Sequence, residues 1–371
     1  DGTVDGMKQA CTGLCGEGEQ VCTQGQWGAC VANETLQCMD YTTCTLGDSC
    51  ETTCPDAPAE QCNGLDDNCN NTIDEGCDEG DDDGGDNVDG KDWAVSSEAQ
   101  HGEDDLEPML KAAIAFGYIT FGVTAHAPRS AEKFLYAEEV EAGYTPQDLR
   151  ADFANYVTEA RRLQTAYADQ IELLVGAEVE IVPEAAFDTE AAALRELHNL
   201  DYIVGSVHWV NEMPFDTSLE DFNTVVANTG GLEPFLLRYY DLVAAMIDRV
   251  QPEVVGHLDI PRLYAGDSDA THSAFVHQRV DAILDRIAAG GMLLETNVSA
   301  LRKGLPEPYP ASWIVERARN AGIRFTLSDD SHSIDQVGAH IPEGRDYLLA
   351  HGIHSIYALT ASGEPHETSL E

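Results

Sequence analysis

The sequence predicts an α/β fold, a distorted (β/α) barrel that follows a small disulfide-rich N-terminal segment. Short apolar runs alternate with amphipathic stretches over most of the chain, and polar residues follow successive apolar runs. All eleven cysteines lie within the first quarter of the 371 residues. The predicted domains are a cysteine-rich segment at 1–77, an acidic glycine-rich linker at 78–91 and a barrel at 92–371.

The cysteine-rich segment is predicted to be a disulfide scaffold from an oxidising compartment, because disulfides compensate for a small core. A reduced zinc scaffold is the alternative, but no histidine precedes His101 and no pair has the C-x2-C spacing. We therefore expect export to the periplasm, the cell surface or the medium. If the segment has no role in export, a cytoplasmic location is expected instead.

Residues 62–77 contain a pattern that resembles a calcium-binding loop. Position 12 of that loop is Cys77 instead of the usual glutamate, so a polar turn held by disulfides is an equally open interpretation. The segment also resembles a cysteine-rich metal-binding motif that is repeated in bacterial surface proteins. The candidate calcium ligands, at positions 1, 3, 5 and 9 of the loop, are Asp66, Asn68, Asn70 and Asp74.

The charge of the chain excludes some classes of partner. The formal net charge is −47, whereas binding to nucleic acid or to an anionic membrane surface requires clustered Lys and Arg. No apolar run approaches the roughly 18 residues of a membrane-spanning helix. We expect a small-molecule substrate, no nucleic acid and no membrane-spanning segment, and the sequence does not indicate the oligomeric state.

The elements of the barrel follow from hydrophobic patterning. A capped helix start is predicted at Thr145–Asp148, where Thr is followed by Pro and an acid. Strands are predicted at 92–96, 118–124, 171–178, 201–207, 253–257, 291–296 and 323–328. Helices are predicted between them, at 103–116, 146–169, 232–250, 273–289 and 311–321.

Polar residues at the ends of these strands favour a barrel over a doubly wound sheet. Only the switch-point strands of a doubly wound sheet converge on one site, whereas every strand of a barrel does. Imidazole with carboxylate suits Zn²⁺, or Mn²⁺ or Fe²⁺, and clustered ions suit the hydrolysis of phosphate esters. The candidate metal ligands are His101, His126, Glu178, His208, His257, Asp330 and His332.

Six successive segments resemble motifs of the PHP-domain histidinol-phosphatase family, over about residues 92–360. The resemblance implies a distorted (β/α)7 barrel with a trinuclear metal site that hydrolyses L-histidinol phosphate, a step of histidine biosynthesis. It therefore implies two or three divalent ions and a small phosphate-ester substrate. The segments are TAHAPR (124–129), GAEVE (176–180), GSVHW (205–209), GHLDIPR (256–262), ETNVSALRK (295–303) and FTLSDDSH (325–332).

The resemblance also implies roles for individual residues. One metal would be held by His101, His126 and His332, a second by Glu178, His208 and His257, and a further one would be shared by Glu178 and Asp330. The catalytic residues would be His257, Asp330 and His332. The phosphate would be bound by Arg262 and Arg302, with Arg129 and Lys303 as further candidates.

The first strand departs from the family pattern. The family has D-x-H-x-H there, whereas this chain has Asp92 followed by Ala94 and Ser96 at the histidine positions. Ala125 replaces a further acid. Two hypotheses follow: a metal-dependent phosphomonoesterase with impaired or altered activity, or a catalytically degenerate surface protein that binds a metal or another ligand.

Overall fold

The computed structural model describes part of the N-terminal region and nearly all of the predicted barrel. The chain divides into two compact units, Asp1–Val88 and Asp89–Glu371. The predicted calcium loop, the linker at 78–91 and His101 lie outside the described residues. The described ranges are 8–13, 16–23, 26–27, 31–32, 93–98, 105–361 and 365–371.

In the first unit, the described residues form short antiparallel strands. The second strand is the centre of the group, because it pairs with each of the other three. Such pairing needs only tight local connections between the strands. The strands are β1 (Lys8–Gly13), β2 (Gly16–Thr23), β3 (Gln26–Trp27) and β4 (Val31–Ala32).

The second unit contains a seven-stranded sheet whose neighbouring strands are all parallel. Its strands are β5 (Trp93–Glu98), β6 (Tyr118–Thr124), β7 (Glu172–Val179), β8 (Tyr202–Gly205), β11 (Val254–Val255), β12 (Leu293–Asn297) and β13 (Arg324–Ser328). The spatial order is β13-β12-β11-β8-β7-β6-β5, and β13 approaches β5, so the sheet curves into a half-barrel. The predicted α/β fold with a parallel sheet is therefore confirmed.

Helices connect successive strands and bury their apolar faces against the sheet. The predicted cap is confirmed at α3, where the Thr145 hydroxyl accepts a hydrogen bond from the Asp148 N–H and Pro146 occupies the first turn. None of the helices in the described part of the chain has the length and apolar character needed to cross a bilayer. The long helices are α1 (Leu106–Phe116), α3 (Pro146–Ala166), α4 (Phe187–His198), α5 (Leu219–Thr229), α6 (Leu232–Val250), α8 (Ala274–Gly290), α10 (Ser312–Asn320) and α11 (Ile341–Ala350).

Shorter elements complete the fold, and several of them were not predicted. The helices α4, α5 and α11 were missed, and β11 is two residues long where five were predicted. Two antiparallel hairpins, one within residues 209–214 and one within residues 355–369, also lie outside the predicted pattern. The short elements are α2 (Ala137–Glu141), α7 (Arg262–Ala265), α9 (Ser299–Arg302), β9 (Trp209–Val210), β10 (Met213–Pro214), β14 (Ser355–Ala358) and β15 (His366–Ser369).

A buried tyrosine fills part of the sheet's concave side. Tyr202 is 2% exposed, and a Cβ atom added at Gly122 or Gly176 would lie 2.5 Å from its ring or hydroxyl. Glycine at these positions therefore allows the ring to lie against two neighbouring strands. With four other strand residues it forms a buried cluster on which Tyr357 and Leu359 of the C-terminal hairpin pack. The cluster comprises Leu174, Tyr202, Val204, Val254 and Leu293.

Two acidic residues brace the sheet from the turns that precede its strands. The Asp201 carboxylate accepts hydrogen bonds from the Val175 N–H at 2.8 Å and from Arg161 Nη1 at 2.7 Å. The Glu253 carboxylate accepts one from the Ile203 N–H at 2.9 Å and binds Arg195. In both cases a carboxylate just before one strand accepts a hydrogen bond from a backbone N–H of the strand beside it. This contact fixes where the strand that follows the carboxylate begins.

Replacing one of these braces should weaken the whole domain. Asp201→Ala removes the side-chain acceptor of the Val175 N–H and one of the acceptors of Arg161, which should cost about 1–3 kcal/mol of unfolding free energy. Urea denaturation followed by circular dichroism measures this as a lower midpoint. Asp169→Ala, at an exposed turn before β7, is the matched control and should leave the midpoint unchanged. Equal midpoints for both variants would contradict a bracing role.

Candidate metal centre

The polar residues predicted at strand ends come together at the carboxyl edge of the sheet. His126 follows β6 by two residues, Glu178 lies within β7, and His208 follows β8 by three. His257 and Asp330 follow β11 and β13 by two residues each. Because these strands are parallel, their carboxyl ends face one region. A parallel bridge between residues 126 and 178 further joins the first two.

The innermost group consists of Glu178, His208 and His257, all buried. Nε2 of His257 lies 3.2 Å from Oε1 of Glu178 and 3.2 Å from Nε2 of His208. Nε2 of His208 lies 3.7 Å from the same carboxylate oxygen. One carboxylate and two imidazoles thus point their donor atoms at one small volume, which is the arrangement of a transition-metal site with open positions.

A second group shares His208 and adds His126 and Glu180. Nδ1 of His126 lies 3.2 Å and Nδ1 of His208 lies 3.0 Å from Oε1 of Glu180. Nδ1 of His126 is also 3.4 Å from Oε2 of Glu178. Glu180 was not among the predicted ligands. Its signal in the sequence is the Glu-x-Glu spacing, because residues two apart on an extended strand face the same side.

The electrostatics of these groups favour a bound cation. Burial alone would lower the pKa of His208, but the negative charges of Asp216 and Glu178 outweigh it and raise that pKa to about 10. Burial is outweighed in the same way at His257, whose pKa is raised by its hydrogen bond to Glu178. The negative charge that favours the protonated form of these buried histidines would also stabilise a bound metal ion. The residues therefore fit a divalent cation with nitrogen and oxygen ligands.

The pKa of Glu180 moves in the opposite direction. Burial opposes its ionisation, but hydrogen bonds from His126 and His208, with the charge of Arg129, hold the pKa well below its usual value. Glu180 is therefore ionised at neutral pH. A carboxylate can only accept hydrogen bonds, so each histidine presents a protonated Nδ1 to it.

Asp330 and His332 line the same pocket but lie outside the two close groups. The Asp330 carboxylate accepts hydrogen bonds from the Ser299 hydroxyl at 2.9 Å and the Asn297 amide at 3.2 Å. Nδ1 of His332 lies 2.8 Å from the Asp330 carbonyl oxygen, to which it can donate. Their predicted metal and catalytic roles remain predictions, as does the ligand role of His101.

The histidines of the two groups, His126, His208 and His257, line an open pocket of about 220 Å³. Lys303 supplies a positive charge on its wall, and Glu138 and Asp216 supply negative charges. Oδ2 of Asp216 lies 3.9 Å from Nε2 of His208. The complete lining is His126, Tyr136, Glu138, His208, Asp216, Thr217, His257, Ile260, Lys303, Asp330 and His332.

The three arginines predicted to bind phosphate all make contacts with protein groups. Arg129 is 2% exposed, with its guanidinium bound to Glu139 and lying over the Tyr136 ring. Arg302 donates to the carbonyl oxygens of residues 329 and 330. Arg262 binds Asp259 through Nε at 3.1 Å and the carbonyl oxygens of residues 307 and 308. Of the predicted basic residues, Lys303 is the one in the pocket wall.

Comparison with known proteins assigns the barrel to a family. The PHP domain model matches residues 95–299. A Schizosaccharomyces pombe protein named "Probable histidinol-phosphatase" is 35% identical over 260 residues, which are 69% of this chain and 84% of that protein. The histidinol-phosphatase of Saccharomyces cerevisiae is 29% identical over 282 residues, covering 67% and 84% of the two chains.

A solved structure shares the fold. The histidinol phosphate phosphatase of Lactococcus lactis, crystallised with zinc, L-histidinol and phosphate, matches with a TM-score of 0.54 at 18% identity. The match covers 74% of this chain and 99% of the Lactococcus chain. The residues matched by the family model include those that supply the clustered side chains. The chain therefore belongs to the PHP-domain family of histidinol-phosphatases.

Proposed function

We propose that this protein is a metal-dependent histidinol-phosphatase, which hydrolyses L-histidinol phosphate to L-histidinol and phosphate. The observation that carries the proposal is the group of Glu178, His208 and His257, whose donor atoms lie within 4.8 Å of one another and whose two histidines line an open pocket. Family membership supplies the reaction class, since the relatives at 35% and 29% identity carry this activity in their names.

The group of Glu178, His208 and His257 would hold the metal. We propose two or three divalent ions, zinc or else manganese or iron, with Glu178, His208 and His257 as ligands of one of them. When bound, such ions make water nucleophilic at neutral pH and neutralise the charge of the phosphoryl oxygens. The sheet would close round them as the distorted (β/α)7 barrel of the family, and a likeness to the Lactococcus structure supports this finer description of the fold.

The chain's own residues would orient the substrate and move its protons. Lys303 would bind the phosphate as a point charge at the pocket wall. His332, whose Nδ1–H faces the Asp330 carbonyl, would act in its doubly protonated form, donating the Nε2 proton to the departing alkoxide oxygen and becoming a neutral imidazole. With His257 and Asp330, it makes up the proposed catalytic set. Arg262 and Arg302 would shape the pocket by fixing its loops rather than by touching the phosphate.

The negative charges in the pocket suit a substrate with a cationic part. Histidinol phosphate carries an ammonium group and an imidazole beside its phosphate, and Asp216 and Glu138 both line the pocket. Asp216 is partly buried, with 20% of its side chain exposed, so an ion pair with the ammonium group would be only partly screened. This arrangement supports an aminoalkyl phosphate over an uncharged alcohol phosphate.

The N-terminal segment supports a further proposal about location. Eleven cysteines in the first 77 residues favour an oxidising compartment, so we propose that the protein is exported and that the segment is held by disulfides. Calcium would bind, if anywhere in this segment, at Asp66, Asn68, Asn70 and Asp74. An external phosphatase would then act on substrate outside the cytoplasm.

Removing the central carboxylate should abolish both metal binding and turnover. Glu178→Gln keeps the shape of the side chain but removes its charge, so we expect fewer ions per chain. We also expect kcat to fall at least about 100-fold, because replacing a residue that only hydrogen-bonds to a metal ligand already costs about 10- to 100-fold. Elemental analysis and phosphate release from histidinol phosphate measure these two effects. Glu220→Gln, on an exposed helix start, should change neither.

The degenerate alternative makes the opposite prediction for the unmodified chain. If the wild-type protein binds ions but releases no phosphate with added Zn²⁺, Mn²⁺ or Fe²⁺, the loss of histidines at positions 94 and 96 has removed the reaction. Turnover by the wild-type protein excludes that alternative.

Asp216 should determine selectivity for a cationic substrate. Asp216→Asn should lower kcat/KM for histidinol phosphate about 10- to 100-fold more than for p-nitrophenyl phosphate, because a hydrogen bond to a charged group is worth about 1.5–3 kcal/mol. The ratio of the two specificity constants is the measurement, since it cancels any effect on the metal. Thr217→Val, which changes a neighbouring wall residue, is the control. An equal loss on both substrates would show that Asp216 does not bind the ammonium group.

A further inference from the structure

Glu180 occupies the centre of a buried hydrogen-bond network rather than an open ligand position. Its Oε1 accepts a hydrogen bond from the Tyr136 hydroxyl at 2.8 Å and also faces Nδ1 of His208 and Nδ1 of His126. Trp209 Nε1 lies 3.2 Å from the Tyr136 hydroxyl and donates to it. Two hydrogen bonds to this oxygen, with Nδ1 of His126 3.2 Å away, hold the carboxylate in one orientation.

The contacts of His208 separate the roles of the two glutamates. Its Nδ1 faces Glu180, so its Nε2 is left to face Glu178 and His257. A carboxylate that binds one ring nitrogen fixes both the tautomer and the orientation of the ring, which directs the other nitrogen to a metal. Glu178 thus lies on the metal side of the imidazole and Glu180 on the opposite side.

Arg129 compensates the charge of Glu180 from the other side. Its Nη1 lies 3.6 Å from Oε2 of Glu180, while its Nη2 binds Glu139. The guanidinium carbon lies 4.3 Å from the centre of the Tyr136 ring, whose hydroxyl binds Glu180. Glu139 in turn accepts the Tyr136 N–H at 2.8 Å. The arginine therefore contacts Glu180, Tyr136 and Glu139. The side chains of these four residues are all at least nine-tenths buried.

We propose that Glu180 is a positioning residue that holds His208 and His126 by their Nδ1 atoms, and that Arg129 holds Glu180 in place. This inference rests on the metal-dependent function proposed above. It assigns Arg129 a role in preparing the metal site instead of in binding phosphate. It also removes Glu180 from the ligand set, although its distance from His126 and His208 would allow it to bind an ion with them.

Metal affinity tests the proposal without any substrate. Glu180→Gln in the full chain should keep the wild-type number of ions at saturating Zn²⁺, but its Zn²⁺ affinity should fall about 10- to 100-fold in competition with a chromophoric chelator. The Co²⁺ visible spectrum should shift as the ring orientation changes. For turnover, kcat should fall while KM stays close to the wild-type value. Glu190→Gln, which lines the cavity beside Arg129, is the matched control and should behave as wild type.

Two further variants keep the test decisive if Glu180→Gln folds poorly. Tyr136→Phe removes the hydrogen bonds of the hydroxyl with Glu180 and Trp209 but no charge, and Arg129→Lys keeps the charge but loses the fork geometry. Both should weaken Zn²⁺ binding in the same direction as Glu180→Gln, with unchanged circular dichroism. Loss of one ion per chain in Glu180→Gln would make Glu180 a ligand, and wild-type affinity in all three variants would leave it no positioning role; either result overturns the proposal. Failure of the wild-type protein to hydrolyse histidinol phosphate would refute the proposed function alone.

Discussion

The burial of two carboxylates side by side is the constraint on which the rest of the site depends. Glu178 and Glu180 are 2% and 3% exposed, and two like charges out of water are unstable without compensating positive charge. The chain supplies that charge from histidines on one side and from Arg129 on the other. A bound cation would complete the compensation, so the same pair that destabilises the empty fold provides the affinity for metal.

The parallel sheet is what brings these charges together. Residues 178 and 180 face one side because side chains alternate along β7, and the neighbouring strands end at the same edge. The loops beyond that edge can then vary without moving the strand ends. Asp330 illustrates this freedom: its backbone adopts a φ of +52°, which directs its carboxylate to Ser299 and Asn297 instead of to the close groups.

Much of this arrangement was predictable from the sequence, because it depends on local pattern. Apolar runs located six of the seven strands closely, and the cap at Thr145 is set by residues three apart. The environment of Arg129 was not predictable. It depends on Glu139 and Tyr136, which come from an unpredicted short helix, and nothing local distinguishes a buried arginine from a phosphate-binding one. The place of Glu180 in the metal centre was not predicted for the same reason, because its partners Tyr136, His208 and His126 are distant from it in the sequence.

The position of the C-terminal hairpin in the sequence determines when the concave cluster can be covered during synthesis of the chain. The metal-site candidates in the described residues end at His332, whereas Tyr357 and Leu359 cover the concave cluster around Tyr202. On the ribosome, every strand that carries a candidate ligand therefore emerges before the segment that shields this cluster from water. Leu370, fully buried and bound through its N–H to the His354 carbonyl, emerges later still. The strands that carry the candidate ligands are thus synthesised before the residues that cover the apolar cluster, which stays exposed until the C-terminal hairpin has been made.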